Sequence, residues 1–158
     1  MKPLIHFAHA NGVPSRVYQK LFQHLQDDYD VIDVPLLGPD KRYPIDNHWN
    51  SLTQQVIDSI VRQAQGRKVI ALGHSLGSVL SFQAAQQRPE LFSQLIMLDP
   101  PMIMGKEALV MHVAKLLKLK ALDKMSPAGL SKRRRDHWES RQQAAELLRS
   151  KGFYQDFD

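Results

Sequence analysis

The stretch Lys68-Val-Ile-Ala-Leu-Gly-His-Ser-Leu-Gly-Ser78 decides how this chain is read. Val69, Ile70, Ala71 and Leu72 form an apolar run of the kind a buried parallel strand shows, and Leu76–Gln87 has helical spacing. Between them stands Gly73-His74-Ser75-Leu76-Gly77. A serine on a sharp strand-to-helix turn is held in strained backbone geometry, and the chain two residues before and after it passes too close for a Cβ. Gly73 and Gly77 meet that demand. The pattern therefore predicts a nucleophile elbow, with the Ser75 hydroxyl lifted out of the sheet and the first amides of the next helix aimed at whatever it attacks. The bland alternative is a strand-to-helix turn that happens to carry a serine. The flanking strand and helix favour the elbow, since the five residues alone are a common combination. His74, inside the turn, is expected to point away from Ser75 and to serve packing.

Working outward, strands and helices alternate, which predicts an α/β fold with a parallel sheet flanked by helices. Strands are expected at Leu4–Ala10, Tyr29–Pro35, Lys68–Gly73 and Gln94–Asp99. Ser15–Gln26 places Val17, Leu21, Phe22 and Leu25 on one helical face. Asn50–Gln65 does the same with Leu52, Val56, Ile57, Ile60 and Val61, with Asn47 and Asn50 as candidate caps. Leu36–Asn47, holding Gly38, Pro39 and Pro44, reads as a loop, and Tyr43 and Trp49 read as loop aromatics covering the core. Asp99 ends the fourth strand on the carboxyl edge, where doubly wound folds keep their ligands.

The elbow, together with Leu4-Ile-His-Phe-Ala-His-Ala-Asn-Gly12, resembles the α/β-hydrolase superfamily, in its amino-terminal portion only. The resemblance implies a serine hydrolase with Ser75 as nucleophile and an oxyanion hole built from backbone amides. The Leu76 amide is one donor. The other comes from the turn after the first strand, where His9-Ala10 stands in place of the family's His-Gly, so the role falls to Asn11, with Ala10 the near miss. His9 is then a structural residue of the loop. The four strands would be the centre of the family's sheet, in spatial order second, first, third, fourth. Most members take the catalytic acid from the strand after the fourth one here and some from this one, so Asp99 reads first as a loop cap, with the catalytic acid as the alternative.

Composition fits one core-forming domain: the chain has 158 residues, 43% hydrophobic and 23% charged. Cysteine is absent, which excludes a disulfide framework and thiolate metal sites. No metal or cofactor is expected. The opening residues lack the form of a signal peptide, and no segment reaches the ~18 apolar residues of a membrane span, so a cytoplasmic enzyme is the expectation. Charge is uneven. Lys106–Lys151 carries twelve Lys/Arg and five Asp/Glu, whereas Met1–Gly105 carries nine of each. Two regions follow: a partial hydrolase core over 1–104 and a basic helical lid segment over 105–158. Helices are expected at Glu107–Lys124 and His137–Lys151. The basic face reads first as a solvated lid; an anionic membrane surface or acidic partner is the alternative. Lys132-Arg133-Arg134-Arg135 accompanies no nucleic-acid fold, so no nucleic-acid partner is expected.

The chemistry implied is attack of Ser75 Oγ on an acyl carbon, with the Asn11 and Leu76 amides stabilising the oxyanion. A small-molecule carboxylic ester or similar acyl compound is the expected substrate. The base is the gap: the histidines after Ser75 are His112 and His137, and neither matches the family's position. A fragment lacking its acid and histidine is the simplest account, with a non-catalytic hydrolase-like binding protein as the alternative. An exposed fourth strand, 94–99, would favour self-association.

Overall fold

A computed structural model describes residues 1–101 and 137–150 of the chain. Four strands, β1 (Leu4–Ala8), β2 (Asp30–Asp33), β3 (Val69–His74) and β4 (Phe92–Leu98), form one sheet in the order β2-β1-β3-β4, every pair parallel. The expected order is therefore found. Three helices connect them: α1 (Gln19–Leu25), preceded by a 3-10 turn at Ser15–Tyr18; α2 (Asn50–Gln63), preceded by one at Asn47–Trp49; and α3 (Leu76–Gln87).

Side-chain alternation along β1 explains the layering. Leu4 and Ala8 join Val56, Ile57 and Ile60 of α2 and Leu80 and Ala84 of α3 in the larger core. Ile5 and Phe7 face the other way, onto Tyr18, Leu21, Phe22 and Leu25. With both faces covered, all five β1 residues are buried.

Three details depart from the sequence expectation. The first turn of the Ser15–Gln26 segment is 3-10, with 3.0 rather than 3.6 residues per turn, so its phase differs from that of α1. Val17 consequently rotates out, 57% exposed, and Tyr18 takes the core position against Phe7, ring centroids 4.6 Å apart. Val61 lies about 100° around the helix from Ile60 and past the edge of the buried stripe; it is 51% exposed. Neither Asn47 nor Asn50 caps α2. The chain turns through His48 (φ 70°) and Trp49 (φ 58°), and Asp46 Oδ2 accepts the Ser51 amide at 3.0 Å. Tyr43 is buried in the larger core and donates its hydroxyl to Asp58 at 2.6 Å, fastening the 36–46 loop to α2.

The chain divides into two compact units, Met1–Met102 and Ile103–Asp158. In the second, α4 spans Arg141–Arg149, shorter than the expected helix, because Ser140 caps it by accepting the Gln143 amide at 3.1 Å. The Glu107–Lys124 helix, His112, the Lys132–Arg135 run and the 152–158 tail lie outside the described residues.

Candidate active site

The residue joining β3 to α3 is Ser75, with φ 52° and ψ −117°. Positive φ is costly for a residue with a Cβ and persists only where the surroundings over-determine it. Here they do. The Ser75 amide donates to Leu98 O at 2.9 Å, and Ser75 O accepts the Ser78 amide at 3.0 Å. The buried Ser78 hydroxyl lies 2.6 Å from Gly73 O and 3.1 Å from Leu98 O, tying the first turn of α3 to the ends of β3 and β4.

The two glycines are required by contact. A Cβ on Gly73 would stand 2.5 Å from Gly77 O and from the Ser78 backbone. On Gly77 it would stand 2.0 Å from Ala8 O and 2.8 Å from His9 O. Gly77 is thus where α3 crosses directly over the end of β1, and that crossing brings the turn after β1 beside the elbow. Ser75 is partly exposed, and its Oγ has no hydrogen-bond partner among the described residues.

The turn after β1 is closed by the Val13 amide donating to Ala10 O at 3.0 Å and by Gly12 at φ 71°. The Ala10 amide donates to the Tyr18 hydroxyl at 3.4 Å. Among the described residues, no acceptor meets the Asn11 amide or the Leu76 amide, the latter being the first N–H of α3.

Buried His9 braces this turn. The Leu37 amide can only donate, so His9 Nε2 accepts it (2.8 Å) and the ring proton sits on Nδ1, facing Ala10 O at 2.7 Å. Burial lowers its pKa, opposed by the Ala10 carbonyl and by Asp33. His6 is fully buried, with Nε2 3.0 Å from Ser59 Oγ and Nδ1 unpartnered, and burial pushes its pKa down to about 3. His74 points its Nδ1 at the Tyr18 hydroxyl, 2.7 Å away. None of the described histidines hydrogen-bonds Ser75.

Asp99 follows the Leu98↔His74 pair, which sets it level with Ser75 on the carboxyl edge; it is exposed, with φ 45°. His137 is exposed and belongs to the second unit. Two open clefts, of about 570 and 520 Å³, flank the carboxyl end of β2 rather than Ser75. Among the described residues no group of three metal-ligating side chains occurs, and no helix is long and apolar enough to cross a membrane.

Sequence reading missed Tyr18 and Ser78. Ser78 had a signal, a hydroxyl in the first turn of a helix among the apolar Leu76, Val79 and Leu80; Tyr18 had none, since its partners lie 8 and 56 residues away.

Comparison with known proteins agrees with this geometry. The chain is 30% identical over 83 residues to the uncharacterized hydrolase YugF of Bacillus subtilis, covering 51% of this chain and 30% of that protein. It is 31% identical to a probable esterase of Oryza sativa (61% and 37% covered) and 35% identical to the karrikin insensitive 2 receptor IA of Petunia hybrida (58% and 35%). The matched stretch thus spans about a third of these relatives' length. Among solved structures, a hydrolase from Pseudomonas aeruginosa PA01 superposes with a TM-score of 0.55 at 17% identity, over 85% of this chain and 55% of that one. An extracellular alpha/beta-hydrolase from a Paenibacillus species gives 0.54 at 21% identity, over 65% and 42%. A sequence model of the alpha/beta hydrolase fold matches residues 3–152, and with the parallel sheet and the strained turn at Ser75 in place, the chain belongs to the α/β-hydrolase family.

Proposed function

We propose that this chain carries the nucleophile and oxyanion half of a serine hydrolase acting on carboxylic esters or similar acyl compounds. The observation that carries the reading is the strained Ser75, held at φ 52° between two glycines that no side chain could replace without moving backbone. Holding a partly exposed serine in that posture is costly for structure alone. Ser75 Oγ attacks the acyl carbon as its proton leaves to a base. The carbonyl oxygen, becoming an oxyanion, accepts hydrogen bonds from the Asn11 and Leu76 amides; its collapse breaks the acyl C–O bond, expels the alcohol and leaves the acyl group on Ser75 Oγ. Asp99, level with Ser75, is the candidate acid. The base belongs to positions outside the described residues or to a further stretch of a longer protein.

The test is mass spectrometry of the 158-residue chain after incubation with p-nitrophenyl esters of graded acyl length. An acyl adduct on Ser75, absent in Ser75→Ala, is expected; acylation that ignores the substitution would overturn the reading.

A second reading is a binding protein that recognises an acyl-like small molecule without turnover. It is favoured by the receptor named among the relatives and by the lack of a described histidine bonded to Ser75. Ligand binding that survives Ser75→Ala, with no adduct on any variant, separates it from the first. We further propose a cytoplasmic setting and pairing of two copies through β4, whose Ile96 and Leu98 are exposed.

A further inference from the structure

The Tyr18 hydroxyl joins the two halves of the site. On one side it stands 3.4 Å from the Ala10 nitrogen, on the other 2.7 Å from His74 Nδ1. An amide N–H can only donate, so the Tyr18 oxygen accepts there, and its single proton remains for His74 Nδ1. Packing holds the ring in place between these partners: it lies on Phe7, and the His74 ring meets it edge-on at a centroid distance of 5.8 Å. Burial raises the Tyr18 pKa, which keeps the phenol protonated and able to donate.

We propose that Tyr18 is a positioning residue of the oxyanion site, tying the turn after β1 to the residue before Ser75 and occupying the Ala10 amide so that the Asn11 amide is the one left to the substrate. The proposal rests on the reading of Ser75 as nucleophile. Its physical content is the spacing of two donors. Asn11 follows the tethered Ala10, and Leu76 lies two residues past the tethered His74, so one phenol sets the gap between the amides an oxyanion must bridge. Two donors bind an oxyanion only where both reach it at hydrogen-bond distance, and misplacement of the order of 1 Å costs heavily in rate.

Two readouts on the 158-residue chain test this. The first is ¹⁵N NMR of the histidine rings. In neutral His74 the proton is expected on Nε2 with Nδ1 accepting a hydrogen bond, and Tyr18→Phe, which keeps the ring against Phe7, removes that bond. The second is the rate of fluorophosphonate labelling at Ser75, followed by intact mass. Tyr18→Phe is expected to slow it about tenfold. His74→Phe, which breaks the same bond from its other side, slows it equally, and the double variant no further. An Nδ1–H tautomer, or labelling of both single variants at the wild-type rate, overturns the role of Tyr18 and leaves the hydrolase reading standing. No labelling of wild-type Ser75 at all overturns the hydrolase reading and the role of Tyr18 with it, whatever the tautomer.

Discussion

On its β1 side the carboxyl edge of the sheet is locked, and on its β4 side it is open. Between β1 and β3, Gly77 touches the backbone of Ala8, both nitrogens of His9 are engaged, and Tyr18 joins Ala10 to His74. Past β3, Ile96 and Leu98 stand 37% and 39% exposed on a strand with one described neighbour, and Asp99 is exposed. The contrast assigns a division of labour. On the proposed reading, the locked side holds the nucleophile Ser75 and the Asn11 and Leu76 amides, and the open side holds the candidate acid Asp99.

If the locked side is as tight as described, Gly77→Ala is the most damaging single change. Its Cβ meets backbone carbonyls rather than a flexible side chain, and a loss of about 3 kcal/mol or more is expected. Gly66→Ala is the control: its φ is 80°, but a Cβ there meets nothing within 4 Å, so backbone strain of about 1 kcal/mol is the whole cost. Chemical denaturation of the two variants compares them directly. Equal losses would show that the crossing at Ala8 is not tight.

In any form of the protein that turns over substrate, Asn11→Pro removes the amide donor and is expected to raise the barrier by about 3 kcal/mol, whereas Asn11→Ala leaves most activity. Similar losses for both would shift the role to the Asn11 side chain.

The buried histidines give the locked side a pH signature. His6 is held neutral, with a folded-state pKa of about 3 against an ordinary 6.5, and that of His9 is also lowered. Below pH 6.5 the unfolded chain binds protons that the folded one refuses, so stability falls as pH drops towards 3, by up to about 1.4 kcal/mol per pH unit for His6 alone. His6→Gln is expected to flatten that slope between pH 6 and 4. A parallel slope in the variant would place the acid sensitivity elsewhere.

On the open side the effect is on association. An apolar edge strand without protecting charges invites pairing. Light scattering at tens of micromolar is expected to show self-association that Ile96→Lys weakens. A monomer in both proteins would mean that β4 is covered.

The same contrast governs how much the sequence revealed. The elbow was legible because its demands fall on neighbouring residues: Gly73, Ser75 and Gly77 are constrained by a turn five residues long. Strand order was legible through resemblance, and apolar runs located each strand to within a few residues. What escaped depends on packing between distant segments. A 3-10 turn exchanged Val17 for Tyr18 in the core, a left-handed pair at His48 and Trp49 moved the α2 cap to Asp46, and the Tyr18 bond to His74 spans 56 residues. No local pattern encodes any of these. The base was not legible for another reason: neither His112 nor His137, the histidines after Ser75, stands at the position the family resemblance implies.

Fluorophosphonate labelling of the 158-residue chain, read by intact mass and peptide mapping, tests whether Ser75 is a nucleophile. One adduct is expected, on Ser75 and absent in Ser75→Ala, and its rate reports the base, whose loss costs a serine hydrolase roughly 10⁶ in turnover. Rapid stoichiometric labelling would point to a base within the 158 residues, with His112 and His137 the first to substitute. An adduct on another residue, or one that persists in Ser75→Ala, would remove Ser75 as the nucleophile.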